Sequence, residues 1–161
     1  MIPSNEVIPI LLKACPSFQS IWEECEEKEL LYCALGEFAS YLLDMHNSGQ
    51  TEVLKAAGVA IEQLHLDGDA HVREAATIGL LEGIQNYWGN NSVDAELFRP
   101  YLLPTSQRWW DELNAFWQGE RRYVGEGLSK ELSAEEIEQI REEVRIFLRT
   151  KQNQNDPHRT S

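Results

Sequence analysis

No stretch of this chain reaches the roughly 18 consecutive apolar residues that a membrane-spanning helix needs, so none is expected. The first residues, Met1-Ile2-Pro3-Ser4-Asn5-Glu6, lack the basic and apolar regions of a secretory signal. A cytoplasmic location is therefore expected. Positive charge is scarce: 14 Lys and Arg stand against 27 Asp and Glu, for a formal charge of −13. The deficit is uneven. Residues 1–100 carry 16 acidic and 5 basic side chains, whereas residues 101–161 carry 11 and 9. Such a field repels phosphate backbones and anionic membranes and speeds encounter with basic proteins. The same charge also serves solubility alone; as a partner field it disfavours nucleic acid and membranes and suits a basic protein. Cysteine is also sparse. Cys15, Cys25 and Cys33 leave one thiol over in any disulfide scheme and form no CxxC pair. They read as reduced, core-facing residues. Sustained strand alternation is missing, and so is a glycine-rich phosphate loop.

What remains is helical periodicity. At 161 residues, with 42% hydrophobic content, the chain suits one globular domain. Residues 4–14 predict a short helix capped by Ser4, with Pro9 tolerable only in its first turn. Pro16 is placed to open a helix over about 17–27. Residues 29–47 carry Leu31, Ala34, Leu35, Phe38, Leu42 and Met45 at helical spacing and stop at Asn47-Ser48-Gly49. Thr51 is expected to cap a helix over about 52–66. Asp67-Gly68 reads as the turn after it, and Asp69 as the cap of a helix over 70–88. Residues 94–103 hold a short turn broken by Pro100. Ser106 begins a helix to about 118, and Ser133-Ala134-Glu135-Glu136 is a capping box opening a last helix over 134–150. The expected fold is all-α: seven to eight helices in an antiparallel hairpin stack, one domain over 1–150, and a disordered polar tail over 151–161.

Few residues suggest chemistry. His65, Asp67, Asp69 and His71 place four N/O ligands within seven residues, a spacing that a divalent metal could use. Turn-making by Asp67 and capping by Asp69 explain the same residues without a metal, and no metal is expected. Glu37, Glu62, Glu74 and Glu82 lie on core-facing helices and could serve as acid and base. Glu37, four residues before Tyr41, is the most suggestive. No nucleophile accompanies them, so no catalytic residue is assigned, no cofactor is expected and the protein is expected not to be an enzyme. Trp109, Trp110, Phe116 and Trp117, with Tyr87 and Trp88, read mainly as core. Adjacent Trp109 and Trp110 point about 100° apart, which leaves one of them available as a partner anchor. Glu23, Glu24, Glu26, Glu27 and Glu29 form an acidic run suited to a basic surface, with Asp44, Asp67 and Asp69 as a second patch.

Two resemblances add to this reading. Asp67 to Ile84 resembles the second half of a HEAT-like repeat in its turn Asp, capping Asp, Val72-Arg73-x-x-Ala76 and small-large alternation. That resemblance implies a HEAT-like hairpin within the stack. Pro16-Ser17-Phe18, Leu35-Gly36-Glu37-Phe38 and Gly79-Leu80-Leu81-Glu82-Gly83-Ile84-Gln85-Asn86 are similar to segments of small all-helical bacterial proteins of undefined activity, over roughly residues 7–118. Some of those proteins are encoded beside polymorphic toxins as immunity proteins. That likeness implies a cytoplasmic protein that binds and silences a toxin domain, and it carries no catalytic residues. The expected function is a non-catalytic binding module acting by occlusion through its acidic surface. The alternatives are a HEAT-like scaffold or homodimeric adaptor using Trp109–Trp117, or a metal-dependent enzyme using the His65–His71 residues.

Overall fold

The computed structural model describes residues 1–128 and 131–154. Two compact units emerge, Met1–Ser129 and Lys130–Ser161. The first contains α1 (Val7–Ala14), α2 (Gln19–Glu24), α3 (Leu31–Asn47), α4 (Thr51–Asp67), α5 (Ala70–Glu74), α6 (Glu82–Asn90) and α7 (Pro104–Trp117). The second contains α8 (Ala134–Gln154). Among the described residues there is no strand, only an isolated parallel bridge between Ile2 and Gly68. The all-α expectation holds.

Local chemistry explains where each helix begins and ends. Pro9 sits third in α1, where its missing N–H costs nothing, and a 3-10 turn over Ser4–Glu6 precedes it. Pro16 opens a 3-10 turn rather than the helix itself, and α2 stops at Glu24, three residues short of the expected end. The acidic run is the reason. A continued helix would bring Glu23 against Glu26 and Glu27, and negative charge opposes the carbonyl end of a helix. Gln50, not Thr51, occupies the N-cap of α4, and its side chain makes no capping bond. Asp69 caps α5 as expected, accepting from Val72 N at 2.9 Å. Ile2 straps this turn, donating its N–H to Asp67 O at 2.7 Å and accepting from Asp69 N at 3.0 Å.

The helix expected over 70–88 is not uniform. Between α5 and α6, residues Ala75–Leu81 form a π-helix, in which the Glu82 N–H reaches back five residues to Thr77 O. Such insertions are rare and cluster at functional sites. This segment and α6 pack on α3, while α4 is flanked by α1, α3 and α7. Gly58 lets α4 meet the 3-10 turn Arg99–Tyr101, since a β-carbon there would overlap the Tyr101 carbonyl. The core is mainly aliphatic, with buried rings set at its junctions. Phe18 and Phe38 meet edge-on at 5.0 Å, and Trp88 lies 5.6 Å from Phe98. Trp88, Phe98, Trp110 and Tyr41 are all within 1% of full burial.

In the second unit the capping box forms as expected. Ser133 Oγ accepts from Glu136 N at 3.1 Å, and Glu136 Oε2 accepts from Ser133 N at 2.8 Å. Arg145 bridges Glu138 and Glu142 at 2.9 and 2.6 Å along α8. The helix runs to Gln154, past the expected end at 150. The remainder of the expected tail, 155–161, lies outside the described residues.

Candidate functional site

Two places gather polar side chains. The first is the α2–α3 corner. Once α2 stops at Glu24, the chain crosses to Leu31 through residues that keep Glu23, Glu24, Glu26, Glu27 and Glu29 exposed. A cleft of about 430 Å³ opens here, lined by Ile21, Glu24, Cys25, Glu26, Glu27, Cys33 and Glu37. Among the described residues, none of the five glutamates of the run forms an ion pair. Lys28 donates to the Glu23 backbone carbonyl at 3.0 Å, and its ammonium lies 5.7 Å from the Trp22 ring centre. Cys33 is exposed rather than core-facing, and Cys25 is half-buried; only Cys15 is in the core. A hydrogen bond to Glu27 raises the pKa of Cys33.

The second gathering is closed. Glu62 on α4 is fully buried. Its carboxylate accepts from Thr105 N and Ser106 N at 2.9 Å each and from the Ser106 hydroxyl at 2.6 Å. A side chain of α4 thus satisfies the orphan N–H groups at the start of α7 and sits at the positive end of that helix. Ser106 has one proton and gives it to Glu62, so toward His65 Nδ1, at 2.9 Å, it accepts. His65 therefore carries its proton on Nδ1, and Nε2 accepts from the Thr77 hydroxyl at 3.0 Å. The directed chain is Thr77 to His65 to Ser106 to Glu62. Burial lowers the His65 pKa to about 4, partly opposed by a hydrogen bond to the Ile61 backbone. At neutral pH the imidazole is uncharged and is too weak a base to activate a nucleophile usefully. The network reads as a lock between α4, α7 and the π segment.

The expected ligands His65, Asp67, Asp69 and His71 do not converge. His65 faces the lock, Asp69 caps α5 and His71 is exposed. Among the described residues no group of three His, Cys, Asp or Glu side chains could hold a metal. The second acidic patch also separates. The short connection Ser48–Gln50 makes α3 and α4 antiparallel neighbours. Asp44 lies at one end of α4, and Asp67 and Asp69 at the other, roughly 24 Å away by helical rise. Asp67 and Asp69 share the end that holds the 23–29 run.

Of the other carboxylates, Glu37 and Glu74 are exposed, and Glu82 is half-buried. Burial raises the Glu82 pKa, against a hydrogen bond from Trp117. Trp110 is buried, not a surface anchor. It donates Nε1–H to Glu96 Oε1 at 2.9 Å and packs near Phe98. Trp109 is half-buried at a cleft, and Trp117 is 61% exposed. Sequence reasoning missed the partnership of Ser106 and Thr77 with His65 and Glu62. Its only signal was a histidine and a glutamate three residues apart on an otherwise apolar helix face.

The geometry defines an all-helical domain with an exposed acidic corner and a hydrogen-bonded lock around Glu62 and His65. Residues 8–118 match the family model described as a domain of unknown function (DUF7674). That match spans more than half of the chain, and the chain belongs to this family. No curated protein and no solved structure matches it.

Proposed function

We propose that this protein is a non-catalytic binding module that takes a basic protein partner on its acidic corner. It acts by occlusion, in the manner of an immunity or inhibitor protein facing a toxin domain. The observation that carries this reading is the lack of internal neutralisation at Glu23, Glu24, Glu26, Glu27 and Glu29. All five are exposed, and none forms an ion pair among the described residues. Carboxylates set around a cleft can stand in for phosphates on a basic nucleic-acid-binding surface. The test is co-expression with any growth-arresting protein encoded next to this gene. Wild-type protein is expected to restore growth, and the triple variant Glu24→Lys, Glu26→Lys, Glu27→Lys is expected to lose that protection. Undiminished protection by the triple variant would sink the acidic-corner mechanism.

One observation favours a second reading, a HEAT-like scaffold or homodimeric adaptor. Trp117 at 61% and Tyr123 at 60% exposure are large apolar groups in water. Sedimentation at high micromolar concentration separates the two readings. A dimer that Trp117→Ser dissolves supports the adaptor, and a monomer removes it.

A further inference from the structure

A second cleft, of about 360 Å³, lies between the α5–π segment and Trp109 of α7. Its volume is within the range of small-molecule sites. Arg73, Glu74, Thr77 and Ile78 line one wall from successive turns of one helical face. Trp109 and Val124 form the other.

The far wall is held in place. Buried Glu112 accepts from Gly127 N at 2.9 Å and from Arg121 Nε at 3.3 Å, which pins the loop over 119–128 back onto α7. Arg122 and Glu126 close the loop a second time, with Nε to Oε1 at 2.7 Å. Gly125, at φ +97°, lays its backbone on the indole. A β-carbon there would sit 2.8 Å from Trp109 Cζ3. Val124 is thereby presented to the cleft without depending on a ligand.

The polar groups then select. Thr77 spends its only proton on His65, so its hydroxyl offers nothing to an acceptor. Ile78, Val124 and the Trp109 ring complete an interior that suits flat carbon. The one cationic group lining the cleft is the Arg73 guanidinium. Arg99, Arg121 and Arg122 are each held by a carboxylate, whereas Arg73 forms no ion pair among the described residues. Glu74 beside it disfavours a second negative charge.

We propose that this cleft binds a small monocarboxylate with a flat apolar body, the ring against Trp109 and the carboxylate on Arg73. The site is independent of the acidic corner.

The probe is 3-phenylpropionate, titrated into ¹⁵N-labelled protein, with 3-phenylpropionamide as its uncharged counterpart. The readout is the Trp109 indole N–H resonance, identified by its loss in Trp109→Phe. The acid is expected to shift that resonance saturably. The amide is expected to bind about tenfold more weakly, the scale of one charge-assisted pair. Arg73→Gln should weaken the acid to the level of the amide while leaving the urea midpoint unchanged, because Arg73 is exposed. Absence of a saturable Trp109 shift with the acid would overturn the proposal. Equal affinity for acid and amide, or acid binding untouched by Arg73→Gln, would do so as well.

Discussion

The α2–α3 corner and the bundle interior use glutamate in opposite ways. At the corner, Glu24, Glu26 and Glu27 stand in solvent around an open cleft. Inside, Glu62 and Glu112 are buried and surrounded by donors. The side chain is the same; the difference is how many N–H and O–H groups the fold delivers to it. A buried carboxylate survives only when hydrogen bonds replace its water, so its neighbours are committed to it and it cannot also recognise a partner. A solvated carboxylate contributes little to stability and is free to be used. Glutamates of the first kind hold this molecule together, and those of the second kind are its available chemistry.

Removing the interior carboxylate should have the largest effect. Glu62→Ala strands two backbone N–H groups and the Ser106 hydroxyl and leaves a cavity. A loss of roughly 3 to 4 kcal/mol is expected in urea denaturation. Retention of full stability would erase the distinction between the two regions.

Acid should reach the same lock through His65. The unfolded imidazole takes a proton below about pH 6.5, whereas the folded one does so only below about 4. Across that window the unfolded chain holds more protons. The contribution is therefore fully present above pH 6.5 and is lost as pH falls toward 4. Its size is about 3 kcal/mol. Long-range ¹⁵N spectra should show a neutral His65 with its proton on Nδ1 at pH 5.5, and a charged ring there would contradict the hydrogen-bond order.

Glu112→Ala should cost less, about 1 to 2 kcal/mol, because Arg121 is partly solvated and can turn to water. Its expected signature is faster hydrogen exchange at Gly127 and at the Trp109 indole. Thr105→Val sharpens the comparison at its small end. The Thr105 hydroxyl is buried with no hydrogen-bond partner among the described residues, so replacing it with a methyl should leave the urea midpoint equal or slightly higher.

Helix positions were legible wherever spacing and caps agreed. The stripe from Leu31 to Met45, the Asp69 cap and the Ser133–Glu136 box all follow from local rules. The early end of α2 was readable in principle, since the repulsion among Glu23, Glu26 and Glu27 is local, yet the apolar spacing of Phe18, Ile21, Trp22 and Cys25 masked it. The π segment over Ala75–Leu81 was not legible. The segment packs on α3 and its Thr77 bonds His65, and both partners lie outside the segment. The polar lock was hidden for a similar reason. Glu62 and Ser106 lie 44 residues apart, so no local pattern joins them. His65, Asp67, Asp69 and His71 show the reverse case. They are close in sequence, but a capped turn sends them in separate directions.

The division between holding and available carboxylates is tested most directly by one urea-denaturation comparison of Glu62→Gln with the triple variant Glu24→Gln, Glu26→Gln, Glu27→Gln. The single interior change is expected to lower stability by roughly 2 kcal/mol, and the three corner changes together to leave it within about 0.5 kcal/mol or raise it slightly as repulsion is relieved. A triple variant that unfolds more easily than the single one would contradict the division between holding and solvated carboxylates.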